Sequence, residues 1–210
     1  MSDPSIGIKQ GLAAKWFGRE WDTPTHIAPP TPPGAMESMM RYVRGEPQPS
    51  EAFPEALHVF DRKQFEKIGD LFTAGSFYAV KGKLAEVLSK FDLGQGGLIP
   101  FLIYQDDKVT PVTGEFFIWS LGAQKNAFLP EQSLKIRSSG IGQSAMSGQW
   151  TVDPNVEDGD IALSAASAGP PDVWCDPRLL WSLFFSDALV TALREAKVNT
   201  DFHLHRCRLV

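Results

Sequence analysis

The stretch Asp172-Val-Trp-Cys-Asp-Pro-Arg-Leu-Leu-Trp181, continued by Leu183-Phe-Phe-Ser-Asp-Ala-Leu189, sets the architecture expected of this chain. An apolar, strand-like run is broken at Pro177, because proline lacks the N–H that a ladder needs. Ser186 then stands as a helix N-cap, with Asp187 in the first turn, where the helix dipole favours an anion. Leu189, Ala192, Leu193 and Ala196 recur at the spacing of one buried helical face. Phe202 to Val210 reads as an alternating terminal strand. Strand, capped helix and strand in so short a stretch point to a mixed chain.

Working back, Leu98 to Gln105 and Gly114 to Leu121 are rich in aromatic and β-branched residues. They read as a hairpin around the polar segment that starts at Asp106 and Asp107. Shorter strands are expected near Ser133–Ile136, Gln149–Val152 and Ile161–Leu163. Asp61 caps a helix running through Phe72, with Phe65, Ile68 and Phe72 on one face. Leu84, Val87, Leu88 and Phe91 mark a second helix, ended by a glycine in Asp92-Leu-Gly-Gln-Gly-Gly97. No β-α-β rhythm links these elements. The expected fold is α+β: a mixed, mainly antiparallel sheet with a few packed helices.

The first fifty or so residues differ. Trp16, Phe17 and Trp21 precede Pro24, Pro29, Pro30, Pro32, Pro33, Pro47, Pro49 and Pro54, a density that opposes helices and central strands. Residues 1–56 are expected to form a Pro-rich irregular arm or small subdomain pinned by those aromatics, and residues 57–210 the α+β body. Met36 to Val43 fits a short strand or helical turn.

Composition narrows the function. With 210 residues, 43% hydrophobic and 21% charged, the chain is long enough for a real core. Fourteen Phe and six Trp supply large side chains to fill it. The net charge of −5 argues against a nucleic-acid partner, which calls for a basic field. Two cysteines, Cys175 and Cys207, are too few for a disulfide framework, and their spacing neither requires nor forbids one bridge. The N-terminus lacks a secretory pattern and no apolar stretch reaches membrane-spanning length, so the expected setting is the cytoplasm, with no membrane partner.

Motifs for catalysis or metal binding fall short. His203, His205 and Cys207 share a strand face, but same-face neighbours lie about 7 Å apart and converge poorly on one ion. No metal is expected. Counted from Asp153, an EF-hand loop needs glycine where Asp158 stands and glutamate where Ser164 stands. Gly94-Gln-Gly-Gly97 lacks the ending of a phosphate loop, and no helix follows Ser139–Gly148. No serine or cysteine occupies a nucleophile elbow. His26, His58, His203 and His205 suggest no triad. Trp174, Trp181, Phe184 and Phe185 are core-type residues. No catalytic residue and no cofactor is expected.

The order of segments resembles a bacterial family of immunity proteins from polymorphic-toxin and interbacterial-competition systems. The resemblance spans residues 57–210. It rests on Leu71-Phe-Thr-Ala-Gly-Ser-Phe-Tyr-Ala-Val-Lys81 with its following helix, on Leu98-Ile-Pro-Phe101, and on Gly114-Glu-Phe-Phe-Ile-Trp-Ser-Leu121. Val173-Trp-Cys-Asp-Pro177 and Leu183-Phe-Phe-Ser-Asp-Ala-Leu189 carry it most closely. Cys175 and the turn Asn199-Thr-Asp201 depart from the pattern.

The resemblance implies inhibition of a cognate toxin by direct protein–protein binding, with no enzyme activity. An acidic inhibitor suits a basic toxin such as a nuclease. The expected partner-binding residues are the acidic turn Asp153, Glu157, Asp158 and Asp160, plus Asp106 and Asp107 at the hairpin tip. The alternatives are a small hydrolase or transferase using scattered His and Asp, and a ligand- or peptide-binding module with a Trp-rich surface. An enzyme predicts that His203→Ala or His205→Ala abolishes function with stability and binding intact. A binding protein keeps function in both variants, and an activity assay paired with a thermal melt decides.

Overall fold

Side chains that alternate between two faces build a six-stranded sheet in the order β1-β2-β5-β6-β4-β3. The strands are β1 (Leu12–Trp16), β2 (Pro54–Val59), β3 (Leu71–Ala74), β4 (Phe77–Lys81), β5 (Gly97–Tyr104) and β6 (Phe116–Ser120). Only β2 and β5 run parallel; the other neighbours are antiparallel. One face buries Leu12 and Ala14, Leu57 and Val59, Ile103, Phe116 and Ile118, Phe77 and Ala79, and Phe72. Gly75, at φ +62°, opens the tight turn that reverses β3 into β4, where a left-handed residue matches the strand twist.

The computed structural model describes residues 10–21, 34–139, 148–199 and 202–210. Two units divide the chain. The first comprises Met1–Met39, Gln48–Lys90 and Gly97–Ser120; the second comprises Met40–Pro47, Phe91–Gly96 and Leu121–Val210. Among the described residues are four α-helices: α1 (Ala35–Val43), α2 (Arg62–Phe65), α3 (Gly82–Leu88) and α4 (Asp187–Glu195). The fold is α+β with mainly antiparallel pairing. The boundary expected at residue 57 falls inside β2, and β1 gives the first unit's sheet a regular strand from the Pro-rich stretch. Met36–Val43 lies within α1. No helix of the described residues is long and apolar enough to cross a membrane.

Three expectations need correcting. The helix from Asp61 stops after Phe65, although Asp61 does cap it through Gln64 N–H. Gly69 weakens continuation, and Asp70 is claimed elsewhere: its carbonyl accepts from Lys81 N–H and its carboxylate from Leu84 N–H. Phe72 then alternates with its neighbours as part of β3. Second, α3 ends at Ser89 in ordinary helical geometry, without a glycine cap. Its start needs glycine instead: Gly82 has φ +54°, and a Cβ there would lie 2.8 Å from Asp70 Oδ1. Third, the terminal strand shrinks to Arg208–Leu209, because only that part of the tail finds a ladder partner.

The second unit has short strands: β7 (Ile136–Ser138), β8 (Trp150–Val152), β9 (Ala162–Leu163), β10 (Val173–Trp174), β11 (Leu179–Leu180), β12 (Phe184–Phe185) and β13 (Arg208–Leu209). Its core is Ala127, Phe128, Ile161, Leu163, Trp174, Leu179 and Phe184, with Trp174 and Phe184 stacked 4.2 Å apart. Two-residue strands leave many backbone groups without ladder partners, and aspartates supply them. Asp176 is fully buried, and its Oδ2 accepts from Ala127 and Phe128 N–H at 2.8 Å each. Arg178 caps the same carboxylate through its backbone N–H and its guanidinium, which also donates to the Phe128 carbonyl. Asp172 accepts from Ser186 Oγ at 2.6 Å and from Asp92 N–H at 3.0 Å. Ser186 Oγ in turn accepts from Leu189 N–H and caps α4, as its sequence position predicts.

Asp176→Ala strands two buried amides and the Arg178 guanidinium, and is expected to cost about 3 kcal/mol. Asp176→Asn retains an acceptor and should cost less. Urea unfolding of the two variants beside the parent gives the comparison.

Candidate functional site

The acidic residues expected to bind a partner occupy two places. Asp106 and Asp107 are exposed at the β5–β6 tip in the first unit; Asp153, Glu157, Asp158 and Asp160 form one turn in the second. Most of these carboxylates close their own loops. Asp107 accepts from Val109 and Thr110 N–H and from the Thr110 hydroxyl. Those bonds, the Thr110 hydroxyl first, hold its carboxyl below the usual range. Asp153 accepts from Asn155 N–H and pairs with Arg137, and both lower its pKa. Asp160 accepts from Glu157 N–H, and Asp158 from Arg206 N–H. Asp106 and Glu157 keep carboxylates with no hydrogen bond or ion pair among the described residues.

The reactive-looking groups are subdued. Cys175 and Cys207 are free thiols, pushed up by burial to about 12 and about 11. Lys125 donates to the carbonyls of Ser167 and Gly169 and lies 5.2 Å from the Trp174 ring centroid. Burial lowers its pKa, while Asp172 and Asp92 act in the opposite sense. His203 and His205 are exposed, and His205 Nδ1 approaches Asp158 at 4.0 Å. His26 lies outside the described residues. Among the described residues, no three His, Cys, Asp or Glu side chains are grouped to hold a metal ion.

A cleft that the sequence did not reveal lies on the other face of the first unit's sheet. Its geometry begins with a β-bulge. Lys15 pairs with Ala56 but Trp16 pairs with Pro54, leaving Glu55 as the extra residue. A bulge re-aims a side chain, and Glu55 meets Lys15 with Nζ to Oε1 at 3.3 Å. After β1 the chain turns back to bridge Lys15 with Trp21. The indole stands edge-on to His58 at 5.0 Å and to Tyr104 at 5.9 Å, while Lys15 Nζ lies 5.9 Å from its centroid. Lys15, Trp21, Glu55, Ala56, Tyr104, Lys108 and Val109 line an open cleft of about 270 Å³.

His58 lies behind this cleft at 2% exposure, on the β2 face that also carries Ala56. Neither ring nitrogen has a hydrogen-bond partner among the described residues. Burial and then the nearby Lys108 lower its pKa. The Val59 backbone and Asp106 pull the other way. The imidazole is thus held neutral and covered, a poor position for moving protons. The cleft is suited to recognition: two aromatic rings, a carboxylate and two ammonium groups around a space the size of one large side chain.

The sequence signal for this site is faint. Pro54-Glu-Ala-Leu-His-Val59 shows no clean alternation, because Leu57, His58 and Val59 are all buried, His58 with Trp21 packed against it. No protein-family model, curated protein or solved structure matches the chain.

His58 also makes stability pH-dependent. As pH falls past the ordinary imidazole value of 6.5, the unfolded chain takes up a proton before the folded chain does. Its stabilising contribution is complete above that value and is lost as pH falls through the lower, folded value. His58→Phe is expected to flatten this decline. Urea midpoints from mildly alkaline to mildly acidic pH should fall more steeply for the parent than for the variant.

Proposed function

We propose that this protein is a cytoplasmic immunity protein that neutralises a cognate bacterial toxin by direct binding. The observation that carries this reading is how the residues of the C-terminal signature are used. Asp172, Asp176 and Ser186 spend their polar atoms on backbone amides and on each other, and Trp174 and Phe184 stack in the core. The motif that carries the resemblance is therefore scaffold, and recognition is left to surfaces outside it. The cleft at Trp21 and Tyr104 has the aromatic and charged make-up of interface anchors. A net charge of −5 favours encounter with a basic toxin.

The test is co-expression with the toxic domain that this reading expects a neighbouring gene to encode. Protection of the cells and recovery of a stoichiometric complex are expected. Cells that die regardless, together with two proteins that elute separately, would falsify the proposal.

A further inference from the structure

We propose that the cleft around Trp21 and Glu55 is a socket for an arginine side chain of the toxin; its carboxylate, Glu55, is at present paired with the protein's own Lys15. This rests on the binding role proposed above. The internal stand-in supplies the chemistry. Lys15 Nζ sits against Glu55 Oε1 at 3.3 Å and 5.9 Å from the Trp21 centroid, so the cleft already holds a cation between a carboxylate and an indole. The bulge that frees Glu55 from the ladder turns its carboxylate toward this position. Both partners of the pair remain about a third exposed, at 32% and 39%, so the contact is weak and readily exchanged.

An arginine would make better use of the same groups. Its planar guanidinium can bond both carboxylate oxygens of Glu55 and stack on an aromatic face, which an ammonium cannot do. Tyr104 supplies a second ring and Val109, at 74% exposure, an apolar lip. Arginine is enriched among the few residues that dominate binding energy, and a protein of net charge −5 selects basic partners. Lys108, on the rim, opposes an incoming cation. The two lysines therefore act against binding, one by competing for Glu55 and one by repulsion.

The expected effects have opposite signs at neighbouring positions, which a merely structural role would not produce. Glu55→Gln should weaken toxin binding about tenfold or more, and Trp21→Ala likewise. Because Trp21 covers His58, Trp21→Phe, which keeps a ring, serves as the folded control and should lose less. Lys15→Met and Lys108→Ala should tighten binding severalfold, measured by calorimetry on the purified pair. A wild-type complex whose affinity ignores all of these changes would overturn the socket while leaving the immunity role intact. Weaker binding by Lys15→Met and tighter binding by Glu55→Gln would overturn it in favour of an acidic ligand. N-acetylarginine amide gives a readout independent of the toxin. At millimolar concentration it should shift the Trp21 indole N–H resonance, more in Lys15→Met than in wild type and not in Glu55→Gln. No shift in Lys15→Met would overturn the socket even if the toxin binds.

Discussion

A buried carboxylate holds the second unit together. Asp176 has no access to water, and its oxygens receive the amides of Ala127, Phe128 and Arg178 and the Arg178 guanidinium. The need behind it is general: buried backbone groups require partners, and strands of two or three residues provide few. Asp172, beside the start of α4, meets the same need by accepting from the Asp92 amide, and Asp153, Asp158 and Asp160 do so in the loops. The first unit has a long ladder and relies on this device only locally, at Asp61, Asp70 and Asp107. Aspartate is shorter than glutamate and reaches nearby amides with little loss of side-chain freedom.

This explains which parts of the fold were legible in the sequence. Elements specified locally read correctly: the Ser186 cap, the buried face of α4, the body of α3 and the β5–β6 hairpin. Elements specified by distant partners did not. Phe65, Ile68 and Phe72 fit a helical spacing, yet Phe72 belongs to β3 because β4 is there to pair with it. The terminal stretch alternates on paper, but β9 pairs with it only at Arg208 and Leu209. Asp176 reads as a turn residue because its bonds to Arg178 are local, whereas Ala127 and Phe128 lie 49 and 48 positions away.

The same distinction governs the candidate site. Acidic residues are conspicuous in sequence, but a carboxylate that closes its own loop has fewer lone pairs for a partner, as at Asp107, Asp153 and Asp160. The cleft gathers Lys15, Trp21, Glu55 and Tyr104 from separate segments. Only the strand register, and the bulge within it, brings them together. No spacing rule could have found it.

The discontinuous division of the chain has a consequence for synthesis. The backbone passes from one unit to the other at Met39, Pro47, Lys90, Gly96 and Ser120 before it remains in the second. On the ribosome, the six-stranded sheet lacks β6, which lies between β5 and β4, until Ser120 has emerged. The second unit needs residues 208–210, since Arg208 and Val210 donate to Ile161 and Leu163. No single cut releases either unit whole. A nascent chain must keep β1 to β5 from aggregating until β6 follows, and a gene fragment made by simple truncation encodes neither unit whole.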